Sequence, residues 1–380
     1  MNGRRAFALG IAAVVGLQVA SPVAAHAGAT HAGTPHWVLG GLTLAGMAAV
    51  VAGWLALADA DRNTRLGVAV LSAGVVAAVA GTIGLVEIQL LPRAPPAWVD
   101  LLPVVNAASA ILLAVGSLAV VRWRWPERPR YVGLGLLLAA WVAYPAVMEN
   151  EGISSPLGYL VVAAVPLSVG YVLRKDGAAV LATAFGDVRS RVVGALSFLA
   201  FLAFFTVSTG TISFNPDVTP AMAGEAFVTV QRVAAPLVYW PAVEFYVPAI
   251  PLSGYVSPGT LVLVGLLGGL VATNAGLVTR QWTAAGAVES PRGVVGTVAA
   301  SGATACCCCA PAVYAAAGAM FGAAASPVYW AFMDPTSPLG GLFFAASVLL
   351  LVGSAVRTSH EPACRLPRER ESAGTAERAA

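Results

Sequence analysis

The stretch LLPVVNAASAILLAVGSLAVV, Leu101 to Val121, is followed at once by RWRWPERPR, Arg122 to Arg130. An uncharged apolar run of that length, wound as a helix, covers the ~30 Å hydrocarbon core of a bilayer. The arginines that stop it mark a connection retained in the cytoplasm. Working outward, similar runs occupy Trp37 to Leu57, Leu66 to Leu91, Tyr131 to Met148, Leu157 to Leu173, Val192 to Gly210, Thr260 to Thr279, Gly293 to Ala325 and Leu339 to Val356. The pattern predicts an all-α, polytopic transmembrane helical bundle of about nine spans.

Composition points the same way. Of the 380 residues 58% are hydrophobic and 10% charged, where soluble domains carry roughly a quarter charged residues. The partner implied for most of the surface is therefore the lipid bilayer. A formal charge of +3 that includes Arg4 and Arg5 leaves no basic surface for nucleic acid.

Residues 1–25 read as a signal peptide: Arg4 and Arg5, an apolar run from Ala6 to Ala20, and the small-residue site Val23-Ala24-Ala25. An uncleaved signal anchor fits the same residues, and either form starts the mature chain outside the cell. The next segment, 26–36, carries His26, His31 and His36, and the transmembrane domain follows over 37–356. With the amino end outside, the inner connections collect Arg62, Arg65, Arg122, Arg124, Arg128, Arg130, Arg174, Lys175, Arg189, Arg191, Arg280 and Arg292, leaving Arg93 and Arg232 outside. The carboxyl end lies inside, in a polar tail over 357–380 that is read as disordered. The cell membrane, crossed many times, is the expected location.

One outer loop, 211–258, is unusually long. Its apolar part, Ala234 to Leu252, holds Glu244 and prolines 236, 241, 248 and 251, and is read as a helix or re-entrant piece on the outer face or tucked into the bundle. If that piece crosses instead, the run Gly293 to Ala325 must split to keep the tail inside, which gives the alternative of about eleven spans.

The sharpest chemical feature is Cys306-Cys307-Cys308-Cys309, followed by Ala310 and Pro311. Thiolates are soft ligands that select Cu(I), zinc and similar ions over hard cations. On a helix only Cys306 and Cys309 share a face, so four ligands to one ion need a distorted backbone. Distortion is expected, because Gly293 to Ala325 as one helix would run to ~50 Å, and Pro311 cannot donate to the carbonyl of Cys307. The plain alternative is that cysteine here is a small packing residue among Ala and Gly.

His26, His31 and His36 form a second metal-ligating set, since imidazole is a common ligand of copper and zinc; the alternative is a solvated linker. If the signal is cut after Ala25, His26 offers an α-amino group and a ring nitrogen to one ion. Such a terminus resembles the amino-terminal histidine that grips copper in periplasmic copper-resistance proteins and copper membrane monooxygenases. Glu87 and Glu244 interrupt apolar runs, and Asn106 and Asn274 are amides placed to bond between helices, so these four are read as a polar pathway. The run Gly302 to Pro311 is similar to the vicinal-cysteine, proline-bearing first helix of small mercuric-ion transport proteins. That similarity implies soft-metal contact by the cysteine cluster.

No GxxxxGK[ST], HExxH or GxSxG motif is present, and no catalytic residue is assigned. Three functions remain open at this stage. One is a membrane protein that binds or transports a soft metal such as copper; another is a transmembrane thiol–disulfide exchanger using Cys306 and Cys309; the third is a non-catalytic assembly or scaffold subunit of a membrane complex.

Overall fold

The computed structural model describes residues 30–31, 34–58, 64–86, 94–147, 155–214, 224–234, 236–250, 252–285, 314, 317 and 325–359. It is mostly helical, and six helices are long and apolar enough to cross a membrane. They are α3 (Leu102–Arg124, led in by a 3-10 turn at Ala97–Leu101), α4 (Arg130–Val147), α5 (Pro156–Asp176), α7 (Val188–Ser208), α8 (Pro258–Ala285) and α10 (Pro338–Ser359). Before them stand α1 (His36–Ala58) and α2 (Thr64–Val86), with the shorter apolar stretches Trp37–Gly53 and Ala69–Ala78. Two short helices, α6 (Ala178–Ala184) and α9 (Ser326–Met333), complete the helical set. The expected span within 293–325 falls almost wholly outside the described residues.

The all-α expectation fails in one place. Among the described residues between α7 and α8 there is neither a helix nor a re-entrant helical piece but a four-stranded antiparallel sheet, β3 (Ile212–Phe214), β4 (Phe227–Ala234), β5 (Tyr239–Val247) and β6 (Leu252–Val256), in the order β3-β6-β5-β4. The reason is in the residues: Val, Phe, Tyr and Trp alternate through β4 and β5 and favour a pleated surface, while Pro241 lacks the amide that a helix interior needs. A two-residue pair, β1 (Thr30–His31) with β2 (Thr34–Pro35), precedes α1. An open sheet leaves unpaired backbone groups at its edges, so β4 and β5 do not provide the extra crossing of the eleven-span alternative.

Helix ends are set locally. Asp187 caps α7, its carboxylate accepting from the Ser190 amide at 2.7 Å. Ser257 and Thr260 cap α8 reciprocally: each backbone amide donates to the other's hydroxyl at 3.1 Å. Ser155 and Ser337 stand one residue before Pro156 and Pro338, and their hydroxyls accept the Leu157 and Leu339 amides, both at 3.3 Å.

Large apolar side chains fill the core of α3 to α10, with Leu138, Val142, Val165, Leu267, Val348 and Leu351 almost completely enclosed. Trp141 of α4 stacks on Phe344 of α10, with centroids 4.2 Å apart. Helix α8 is the most enclosed span (56% of its apolar window) and α3 the least (17%). Leu112, 72% exposed on α3, thus belongs to the surface that meets lipid.

The α1–α2 hairpin closes differently. Gly46 and Gly53 on α1 face Gly67, Gly74 and Gly81 on α2, each set spaced by seven residues and all of them buried. A Cβ at Gly74 would stand 2.6 Å from the Val50 amide nitrogen, and one at Gly53 equally close to that of Leu71. Only glycine lets the two backbones touch. Helix α2 then rests against α7.

Candidate functional site

The bundle has two chemically distinct ends. At one, Arg124 closes α3, Arg130 opens α4, Asp176 closes α5, Asp187 opens α7, and Arg280 and Arg357 lie in the last turns of the apolar parts of α8 and α10. The Asp176 carboxylate receives both faces of the Arg130 guanidinium, Nε donating to Oδ2 at 2.5 Å and Nη2 to Oδ1, with Arg128 3.9 Å away. Only 5% of the Asp176 side chain is exposed. Arg280 donates to Asp187 at 2.9 Å and ties α8 to α7. The Ser190 amide and then the Arg280 guanidinium hold the Asp187 carboxyl down at about 2. The signal for these pairs in the sequence is that Asp176 and Asp187 share one connection with Arg174, Lys175, Arg189 and Arg191.

At the other end sits the sheet. The tip between β4 and β5 holds Leu237 at a left-handed φ of 58°, which for a leucine is a strained turn. The Trp240 indole donates to the Pro236 carbonyl at 3.1 Å and fastens the tip. Val238 is fully enclosed and lies where a side chain at Gly158 of α5 would otherwise be. Tyr159 donates its hydroxyl to the Tyr239 carbonyl and meets the Trp240 ring edge-on at 4.8 Å.

Asn106 and Asn274 are both inside the bundle, and both reach α10 or the loop before it. Asn106 donates to the Thr336 carbonyl at 3.0 Å, and its Oδ1, also buried, has no hydrogen-bond partner among the described residues. Asp334 shapes that loop by accepting the Thr336 amide at 2.8 Å and hydroxyl at 2.6 Å. Asn274 donates to the Leu270 carbonyl at 2.9 Å and across to Leu351 at 3.2 Å. Asn274 thus ties α8 to α10, and Asn106 ties α3 to the loop before α10.

Glu244 lies on β5, half-exposed, opposite Thr229 of β4 and Tyr255 of β6. It stands in a sheet and not in an apolar helix, so its carboxylate has neighbours across the strands and no helix interior to polarise. Cys306, Cys307, Cys308 and Cys309 lie outside the described residues, as do His26 and Glu87. For His31, in β1, and His36, the first residue of α1, the backbone alone is described. Among the described residues no three His, Cys, Asp or Glu side chains converge to hold a metal. Comparison with protein families, curated proteins and solved structures gives no significant match.

Proposed function

We propose that this membrane protein binds and relays a soft transition metal, copper, with Cys306 to Cys309 as the intramembrane ligands. The observation that carries the reading is the run of four contiguous cysteines beside Pro311 in an apolar stretch. Thiolates in a low-dielectric surrounding favour Cu(I), whose single charge and soft character cost least to desolvate. A proline that breaks the local hydrogen-bond ladder frees backbone geometry, so that more than two of the four sulfurs can turn toward one ion.

His26, His31 and His36 are the capture ligands in this reading. Alternation of the helices puts the start of α1 at the same end as the sheet, opposite the arginine-rich end. The excess of arginine at that second end supports a cytoplasmic location for it and an outer location for the sheet, in the cell membrane. A metal would then be taken up by imidazole outside and passed to thiolate within. Glu244 and the buried Asn106 stand on the capture side.

The test is the copper and zinc content of the purified protein and of the variant with Cys306→Ser, Cys307→Ser, Cys308→Ser and Cys309→Ser. About one copper per native chain, lost in the variant, supports the proposal. Equal and negligible metal in both refutes it. A change in the redox state of Cys306 and Cys309 during turnover, with no metal bound, would instead favour thiol–disulfide exchange.

A further inference from the structure

Strand alternation sorts the sheet into two unlike faces. Val228, Val230, Val243, Val247 and Val256 fall on one face, and Thr229, Gln231, Glu244, Ser253 and Tyr255 on the other. The polar face is the one that carries Trp240 and the buried Ala242, and it meets Tyr159 of the bundle. The valine face is open, with Val228 75%, Val230 71%, Val243 48% and Val256 46% exposed. In a sheet bathed by water on one side the arrangement is the reverse, polar residues outward.

The depth of the sheet explains the reversal. One residue, Ser257, separates β6 from α8, so Val256 is level with the start of a spanning helix. Val243 pairs with Val256, and β5 continues past it to Tyr239, four residues or about 13 Å further toward the bundle. At the tip Val238 packs beside Gly158, in the first turn of α5. The lower half of β4 and β5 is therefore level with the first turns of the helices. Just above it Val230, Val243 and Val256 stand side by side, at the level where α8 begins.

We propose that the valine face of this sheet is a lipid-binding surface, immersed in the boundary layer where headgroups meet acyl chains. The outer edge of β4, which pairs with no other strand among the described residues, belongs at that depth, because its backbone groups would have no partners in the hydrocarbon centre. Arg232, exposed on the same face opposite Pro241 and two residues nearer the tip than Val230, has the reach to carry its guanidinium back up to lipid phosphate. Tyr239, exposed on the same face near the tip, supplies an amphipathic ring typical of that layer.

The experiment places single cysteines at Val230 and at Gln231, neighbours on opposite faces, in the full chain with its five native cysteines changed to serine. Each is labelled with a bimane fluorophore in mixed phosphatidylcholine and phosphatidylglycerol vesicles, with and without lipid carrying a nitroxide near the top of the acyl chain. Emission from position 230 should be blue-shifted and quenched several-fold more than that from 231. Equal, water-like emission at both positions overturns the proposal. So does a disulfide-linked dimer through Val230→Cys that escapes the lipid quencher, since the occupant would then be a second copy of the chain. In the native-cysteine background, Val230→Asp should lower the melting temperature in the same vesicles by several degrees while Gln231→Asp leaves it unchanged; no difference between them also overturns it.

Discussion

The α1–α2 hairpin and the α3–α10 bundle are both built from apolar helices, yet they hold together by opposite means. In the hairpin, five glycines strip away side chains so that one backbone lies on the other. In the bundle, Leu and Val side chains interlock, and a few polar groups, Asn106, Asn274, Asp176 and Asp187, join the helices. Lipid tails are as apolar as leucine, so burying leucine against leucine offers no gain of the kind water provides. Dispersion at close range and polar pairs have to supply the difference, and this chain uses one in each region.

The contrast can be broken most severely at Asp176. Changing Asp176→Ala leaves Arg130 and Arg128 facing each other without their shared carboxylate. Loss of one partner of a buried pair costs about 3–5 kcal/mol, and the lower end applies because Arg130 keeps 25% of its side chain exposed to hydrate. Equilibrium unfolding in mixed anionic and non-ionic micelles should show that loss, with the hairpin unaffected.

Gly74→Leu tests the other region. The new side chain has to enter a space already held by the Val50 amide and the Gly46 carbonyl, 2.6 and 2.8 Å from where its Cβ would stand. Overpacking of this kind costs about 1–3 kcal/mol. Amide hydrogen exchange should accelerate over 36–86 and stay unchanged over 130–176. Equal acceleration in both would show that hairpin and bundle form one cooperative unit.

The smallest effect belongs to Asp187, whose carboxylate is partly exposed. Its value is depressed from 3.8 to about 2 in the folded chain, so its charge stabilises the fold fully above 3.8 and ceases to do so as pH falls through about 2. Asp187→Asn keeps an acceptor for the Ser190 amide but loses the Arg280 pair. Thermal unfolding of the native chain and this variant should therefore differ near neutral pH and converge below about 2.

By itself, the sequence determined the solvent. Apolar runs such as 101–121, stopped by Arg122, require helices that satisfy every backbone group internally, whatever their neighbours. An amide in an apolar run has few places to bond other than a neighbouring segment; Asn274 meets the Leu351 carbonyl of α10 and Asn106 the Thr336 carbonyl of the loop before it. The seven-residue spacing of Gly46 with Gly53, and of Gly67, Gly74 and Gly81, was also present in the sequence, but glycine spacing says nothing until the facing helix is known. Only the tertiary structure decided that 211–258 is a sheet. The alternation of apolar residues in β4 and β5 was there in the sequence, but a strand holds only once β5 has β4 on one side and β6 on the other, and the pairing of β3 with β6 across both hairpins is a property no local pattern contains.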